Sequence, residues 1–216
     1  SYTKRLTKKI IAETALKAAN TLREDIQITI SENKQNNVIT WRKWGKEWET
    51  EDKGKLASSA ICLPLKNGKP TANTSLTGIP IYNFYPTDEV CETSAVIHAT
   101  FDLTQDRKQL QMYEQGKWSP KKARRDNDLI KSIHELASII CLDETVDAAC
   151  VLATFKYIGA SEDVLKNNVK QKIEWAISDA IKKTAFIPTI FPDQLIHLNE
   201  VVFWRHRLDK CFITDM

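Results

Sequence analysis

Apolar residues Leu6, Ile10, Ala15, Ala18, Ala19 and Leu22 recur near the helical period, with Lys and Glu between them, and predict a helix over 4–24. From Ile26 the period drops to two. "IQITI" (26–30) alternates, "ENKQNN" (32–37) turns and "VITW" (38–41) resumes, which predicts a hairpin. Further strand-like runs stand at "SSAICLPL" (58–65), "IPIYNFY" (79–85) and "SAVIHATF" (94–101). Between them "KNGKP" (66–70) and "YPTDE" (85–89) carry turn residues, and 66–78, rich in Thr, Asn and Gly, reads as an exposed loop.

After Gly116 the pattern turns helical. Leu129, Ile130, Ile133, Leu136, Ala137 and Ile140 form one stripe within 126–142. A second helix is expected over 143–159, from an acidic start to Gly159. A third is expected over 161–184, with Val164, Val169, Ile173, Ala176, Ile177 and Ile181 in phase. Pro188 and Pro192 end that pattern, and "LIHLNEVVFW" (195–204) has the make-up of a late strand. A helix, a block of sheet, three helices and a tail define an α+β chain.

Composition narrows the function more than the fold. The 216 residues are 42% hydrophobic and 27% charged, ordinary for a globular domain, and no apolar run reaches the length of a membrane span. The net charge of +3 gives no global nucleic-acid signature. Five scattered cysteines without a CxxC pair point to reduced thiols and a cytoplasmic setting, and the four histidines show no metal-ligand spacing with them, so no metal site is expected. His134, inside a helical stretch, reads as packing. The six glycines never form GxG, so the chain offers no glycine-rich cradle for a phosphate. There is no GxSxG or HExxH either. Because "SYTKRLTKKI" lacks an initiator Met and opens in the middle of a predicted helix, the chain reads as a piece of a longer protein.

One motif adds a chemical direction. "GIPIYNFYPTDE" (78–89) is followed by "AVIHATFDLTQDRKQLQ" (95–111), an apolar strand running into a polar corner with Arg107 and, four residues on, Gln111. This order resembles the middle, or transducer, domain of GHKL-type ATPases, the group that contains gyrase, the large heat-shock chaperone, histidine kinases and MutL. It is most similar to the sacsin-like and MORC-like branches and their bacterial relatives, in which a strand ending in Phe-Pro-Thr precedes an Ile-His-Ala strand and an arginine corner. The likeness covers residues 25–140 best. It implies a ribosomal-protein-like transducer sheet with packed helices, followed by a helical segment and a short β tail. It divides the chain into a linking helix (1–24), a transducer-like domain (25–118) and a helical extension (119–216). It further implies that Arg107 falls on the family's catalytic arginine, contacting the γ-phosphate of ATP, and Gln111 on its auxiliary glutamine. ATP and Mg would be held by a nucleotide-binding domain upstream in the full-length, homodimeric protein; no cofactor belongs to this piece. The residue types suit that chemistry. A guanidinium binds phosphoryl oxygens bidentately and stays charged in any setting, whereas an ammonium does not. A glutamine one helical turn on reaches the same side. Two letters depart from the chaperone's corner: Asp106 stands at a small hydroxyl residue and Thr104 at an Asn.

Other stretches carry different chemistry. In "WRKWGKEW" Trp41, Trp44 and Trp48 interleave with Arg42, Lys43 and Lys46, so the segment is either a nucleic-acid- or protein-binding surface, its rings stacking bases and its cations contacting phosphates in the first case, or a hairpin whose rings pack on the sheet. "KKARR" (121–125) reads as a solvated linker. Asp88, Glu89 and Glu92 form a carboxylate cluster open to acid–base or metal chemistry, but with no partner His or glycine turn.

Overall fold

The computed structural model describes residues 4–16, 21–32, 35–51, 55–72, 78–113, 120–155, 168–191 and 194–201. Three long strands come first: β1 (Lys4–Leu16), β2 (Thr21–Glu32) and β3 (Gln35–Glu49). The helix expected over 4–24 is therefore not formed. β1 pairs with β2 along its whole length, from Lys4↔Glu32 to Leu16↔Thr21, with a bulge at Ile11. Cross-strand contacts override the local helical period: Leu6 lies opposite Ile30 and Ile10 opposite Ile26, and the β-branched Thr7, Ile10, Ile11 and Thr14 fit a pleated surface. β2 and β3 form the expected hairpin, Ile26 opposite Trp41.

β4 (Leu56–Lys66) continues the sheet against β3. It turns back on the short β5 (Lys69–Pro70) through Asn67 and Gly68, both with positive φ (53° and 77°), the conformation that a two-residue hairpin loop needs and an Asn-Gly pair supplies. β6 (Ile79–Asn83) and β7 (Tyr85–Cys91) form a second hairpin, joined by the single residue Phe84. "YPTDE" is thus strand and not turn. Pro86 is tolerated because β7 is the last strand of the sheet, where a missing backbone N–H breaks no inner ladder. β8 (Val96–Ala99) inserts between β4 and β6, antiparallel to the first and parallel to the second, giving the order β1-β2-β3-β4-β8-β6-β7.

After β8 the chain makes a small separate hairpin of β9 (Asp102–Leu103) and β10 (Leu110–Gln111). Three helices follow among the described residues: α1 (Pro120–Leu142), α2 (Ala148–Thr154) and α3 (Val169–Lys183). α1 starts earlier than the stripe implied, and α2 later, after a turn at 143–147; Asp147 caps it by accepting from the Cys150 N–H at 2.6 Å. The last elements among the described residues are β11 (Ile187–Pro188), β12 (Leu195–Ile196), which pair, and a 3-10 turn at Leu198–Glu200. Of the expected strand over 195–204, residues 202–204 lie outside the described residues, as do 156–159 and 161–167 of the expected second and third helices.

The mixed α+β class holds, and sheet and helices share one core. Leu129, Ile133, Leu136 and Ile140 of α1 and Ile173, Ile177 and Ile181 of α3 join Ile61, Leu63, Ile81 and Ile97 of the sheet in one buried cluster. Hydrogen bonds fix the register of this packing. Ser59 on β4 meets Ser132 on α1 at 2.6 Å, and His134 on α1 meets Asp179 on α3 at 3.1 Å.

Candidate anion-binding site

Arg107 does not begin a helix. Residues Thr104–Gln109 are the loop of the β9–β10 hairpin, and the turn is built from side-chain oxygens. The Thr104 N–H donates to the Gln109 carbonyl (3.0 Å), and the Gln109 N–H returns to the Thr104 hydroxyl (3.2 Å). The Thr104 hydroxyl donates to Asp106 (2.5 Å), which also accepts from the Lys108 N–H (3.2 Å). The Thr104 bond, followed by the Lys108 N–H, holds the Asp106 carboxyl below its usual range. The two residues that depart from the chaperone-like corner are therefore the ones that make this turn. The Asp88 N–H donates to the Lys108 carbonyl at 2.7 Å and ties it to β7.

Arg107 sits at the apex with φ of 59°. Its N–H donates to the Thr104 carbonyl (2.8 Å), while its exposed guanidinium makes no hydrogen bond or ion pair among the described residues. Gln111 is on the returning strand opposite Asp102, not one helical turn on. The Tyr113 hydroxyl reaches its side chain at 3.4 Å. The expected helical neighbourhood of Arg107 and Gln111 is replaced by opposite stations on a hairpin, because the turn oxygens capture the backbone that a helix start would use.

Arg107 borders an open cavity of about 960 Å³. The remaining walls come from the Phe84–Tyr85 tip of the β6–β7 hairpin, from Thr50, Glu51, Lys55 and Leu56 at the β3–β4 connection, and from the first turns of α1. Lys55, Arg107, Lys121, Lys122 and Arg125 line it against only two carboxylates, Glu51 and Asp102. Both acids are engaged. Glu51 pairs with Arg124, and Asp102 accepts from Lys122 (3.2 Å) and Arg125 (2.9 Å). Burial raises the Asp102 carboxyl, but the bond and charge of Arg125, with Lys122, outweigh it and bring it down to about 2. Arg125 also pairs with the fully buried Asp126 (2.9 Å), whose other oxygen accepts from the Tyr113 N–H at 2.8 Å. This network clamps the hairpin stems to α1 and leaves the apex outward. "KKARR" is accordingly the opening of α1 and part of the cavity wall. Nothing in its local sequence announces this, because the neighbour that makes it a wall is distant in the chain.

Two features mark this place. Phe84 and Tyr85, each 77% exposed, are the most exposed large apolar side chains among the described residues. Of the three non-glycine residues with positive φ there, Phe84 (61°) and Arg107 both line the cavity, while the third, Asn67, sits in the Asn-Gly turn. A bulky residue held in that region costs of order 1 kcal/mol or more, and such residues collect at functional sites.

The Trp-rich segment is arranged otherwise. Trp44 is fully buried and its indole N–H donates to Asp143 at 2.9 Å. Arg42 forks onto Asp25 (2.6 and 2.8 Å) and reaches the Thr145 hydroxyl (2.6 Å). Lys43 pairs with Glu24 at 2.6 Å, and Lys46 with Glu135. Trp41 and Trp48 are half-buried. All three cations of this segment are thus spent on carboxylates of the same chain. Asp88 is exposed on β7, and its neighbour Glu89 points to the opposite face, as adjacent strand residues must. Burial raises the Glu89 carboxyl, partly offset by Lys170. Glu92 follows the strand, so these acids do not converge. No group of three or more His, Cys, Asp or Glu that could hold a metal occurs among the described residues. Burial pushes the Cys62 and Cys141 thiols up to about 12, and those of Cys91 and Cys150 upward as well, which makes them packing groups rather than nucleophiles. No helix among the described residues is long and apolar enough to cross a membrane.

The chain matches no protein-family model, no curated protein and no solved structure.

Proposed function

We propose that this chain is the transducer part of an ATP-hydrolysing protein and contributes Arg107 to an ATP site held by another domain. The observation that supports this reading is the state of Arg107: an exposed guanidinium without a partner among the described residues, lifted on a side-chain-braced turn at the rim of a basic cavity. Such a group is available to an incoming anion. ATP and Mg²⁺ would be bound mainly by the other domain, since no glycine-rich loop stands in this chain. When bound, the nucleotide supplies the bond to be broken. The guanidinium would lie against the γ-phosphoryl oxygens, where negative charge develops, and the rigid hairpin would keep it from relaxing away. Because the arginine and the nucleotide belong to different domains, turnover would require their docking, and hydrolysis would release it. Gln111, turned toward Tyr113, is given no part in the contact.

The test uses the protein that carries this chain together with its nucleotide-binding domain. Arg107→Ala should leave the ATP dissociation constant nearly unchanged and lower kcat by roughly 10²-fold or more, as removal of one preorganised donor does. Arg107→Lys should restore only part of the rate, lacking the planar fork. Unchanged turnover in Arg107→Ala would sink the reading.

A further inference from the structure

The aromatic tip has no role in a γ-phosphate contact. Phe84 and Tyr85 are adjacent, both 77% exposed, and Phe84 holds a backbone conformation that a phenylalanine rarely adopts. Burial does not explain them, and neither does the sheet: Phe84 is the one-residue link between β6 and β7, a position that glycine or asparagine would fill with less strain. Among the described residues the one ring contact at this tip is the edge contact of Phe84 with His98, with ring centres 5.5 Å apart. Both rings stand on the wall of the cavity that carries five cations against two carboxylates.

From this juxtaposition we infer that the cavity binds single-stranded nucleic acid. Unpaired bases stack on Phe84 and Tyr85, and the adjoining phosphates lie toward Arg107 and the Lys121–Arg125 turn of α1. Stacking on exposed rings demands bases free of a duplex, and the excess of positive charge demands a polyanion; a strand of unpaired nucleotides supplies both. A basic groove that tracks the backbone beside aromatic platforms is the general form of sequence-tolerant strand binding. An acidic peptide would meet the charge but leave the two rings without a stacking partner. The inference goes beyond the ATP contact and does not rest on it.

The test is fluorescence anisotropy on the 216-residue chain with a labelled 12-nucleotide oligo(dT) and oligo(U), an abasic oligomer of the same phosphate number, a duplex of the same length, and polyglutamate. Binding of the single strands is expected, at least tenfold tighter than that of the abasic oligomer, the duplex and polyglutamate, and weakening with added salt. Phe84→Gly with Tyr85→Ala, which relieves strain at one position and removes an exposed ring at the other, should lower single-strand affinity at least tenfold without lowering the melting temperature. Arg107→Ala should reduce the salt slope by about one, the mark of one lost phosphate contact. Equal binding of abasic and intact strands, tighter binding of polyglutamate, loss of binding on Trp41→Ala instead of at the tip, or no single-strand binding at about 100 μM would each overturn the inference. The ATP reading is judged separately, by turnover of Arg107→Ala, so either can fail alone.

Discussion

The segment 41–48 and the cavity of Phe84 and Arg107 both set aromatic rings beside cations, and they treat them in opposite ways. In the first, Arg42, Lys43 and Lys46 each end on a carboxylate of the chain, and Trp44 is buried with its N–H on Asp143. In the second, Lys122 and Arg125 are paired, but Arg107 projects from a turn without a partner among the described residues, and both rings are largely exposed. Interleaved rings and charges in a sequence therefore do not separate a structural seam from a binding surface. What separates them is whether the fold has already supplied the counter-charge and covered the ring.

That contrast breaks most visibly at Trp44. Trp44→Ala should lower stability by about 3–5 kcal/mol, through the lost burial of a full indole and the loss of a bond to Asp143, and should show as a large drop in denaturant midpoint. Trp41→Ala and Trp48→Ala, at half-buried rings, should cost clearly less. A Trp44→Ala midpoint equal to the parent's would place this segment in the same class as the cavity. Next in size is Arg42→Ala, which leaves Asp25 and Thr145 without the guanidinium that holds them. A loss of about 3 kcal/mol is expected, since breaking a largely buried pair strands the remaining charge. Under the same chemical unfolding, Arg107→Ala should shift stability by less than about 1 kcal/mol. Equal losses at the two arginines would dissolve the comparison.

How far the chain could be read in advance follows the same line. The stripe from Leu129 to Ile140 and that from Val169 to Ile181 were legible because a helix satisfies its backbone locally and shows its buried face as a period. The first strand was not, since Lys4–Leu16 owes its shape to β2 and its letters alone favour a helix. The corner was half legible. Its arginine and its exposure could be read, but the turn was missed, although Thr-Gln-Asp before Arg107 is the kind of polar cluster whose side chains bond their own backbone. The aromatic tip left no mark at all, because "NFYP" looks like the end of a buried strand until the hairpin partner is known. The basic residues 121–125 became a cavity wall only because the fold brings the tip, distant in the chain, near them, which no local pattern records.

A smaller effect sharpens the account of how the cavity is held open. The folded-state carboxyl of Asp102 lies at about 2, against 3.8 for the free side chain. A depressed carboxylate stabilises the fold fully above its unfolded value and loses that contribution as pH falls through the folded one. The advantage of the parent over Asp102→Asn should thus be complete above about pH 4 and gone near pH 2, a difference of about 1 kcal/mol after solvent screening of a partly exposed pair. Asp126 runs the other way. Burial raises its carboxyl, so any contribution from it falls as pH rises, opposite in sign to that of Asp102. Parallel pH profiles for the two proteins would mean that the Arg125 clamp does not depend on the Asp102 charge.

The smallest expected effect is the most specific, because its sign is unusual. Arg107 holds φ at 59°, where an L side chain costs about 1–2 kcal/mol and glycine costs nothing sterically. Glycine gains entropy in the unfolded chain, which returns about 0.5–1 kcal/mol of that difference. Arg107→Gly should therefore stabilise the chain, by about 0.5 kcal/mol, because its guanidinium has no described partner to lose. Arg107→Ala keeps the strained conformation and should not gain. The same glycine variant should lose whatever anion contact the arginine makes, so stability and binding would move in opposite directions at one residue. This is the signature of strain retained for function, and the buried arginine at 42 cannot show it, since there both quantities fall together. Careful denaturant titrations of the three proteins would resolve the order Gly above parent, with Ala at or below parent. If Arg107→Gly instead loses more than about 1 kcal/mol, the guanidinium is holding the turn together, and Arg107 belongs with Arg42 as a structural residue.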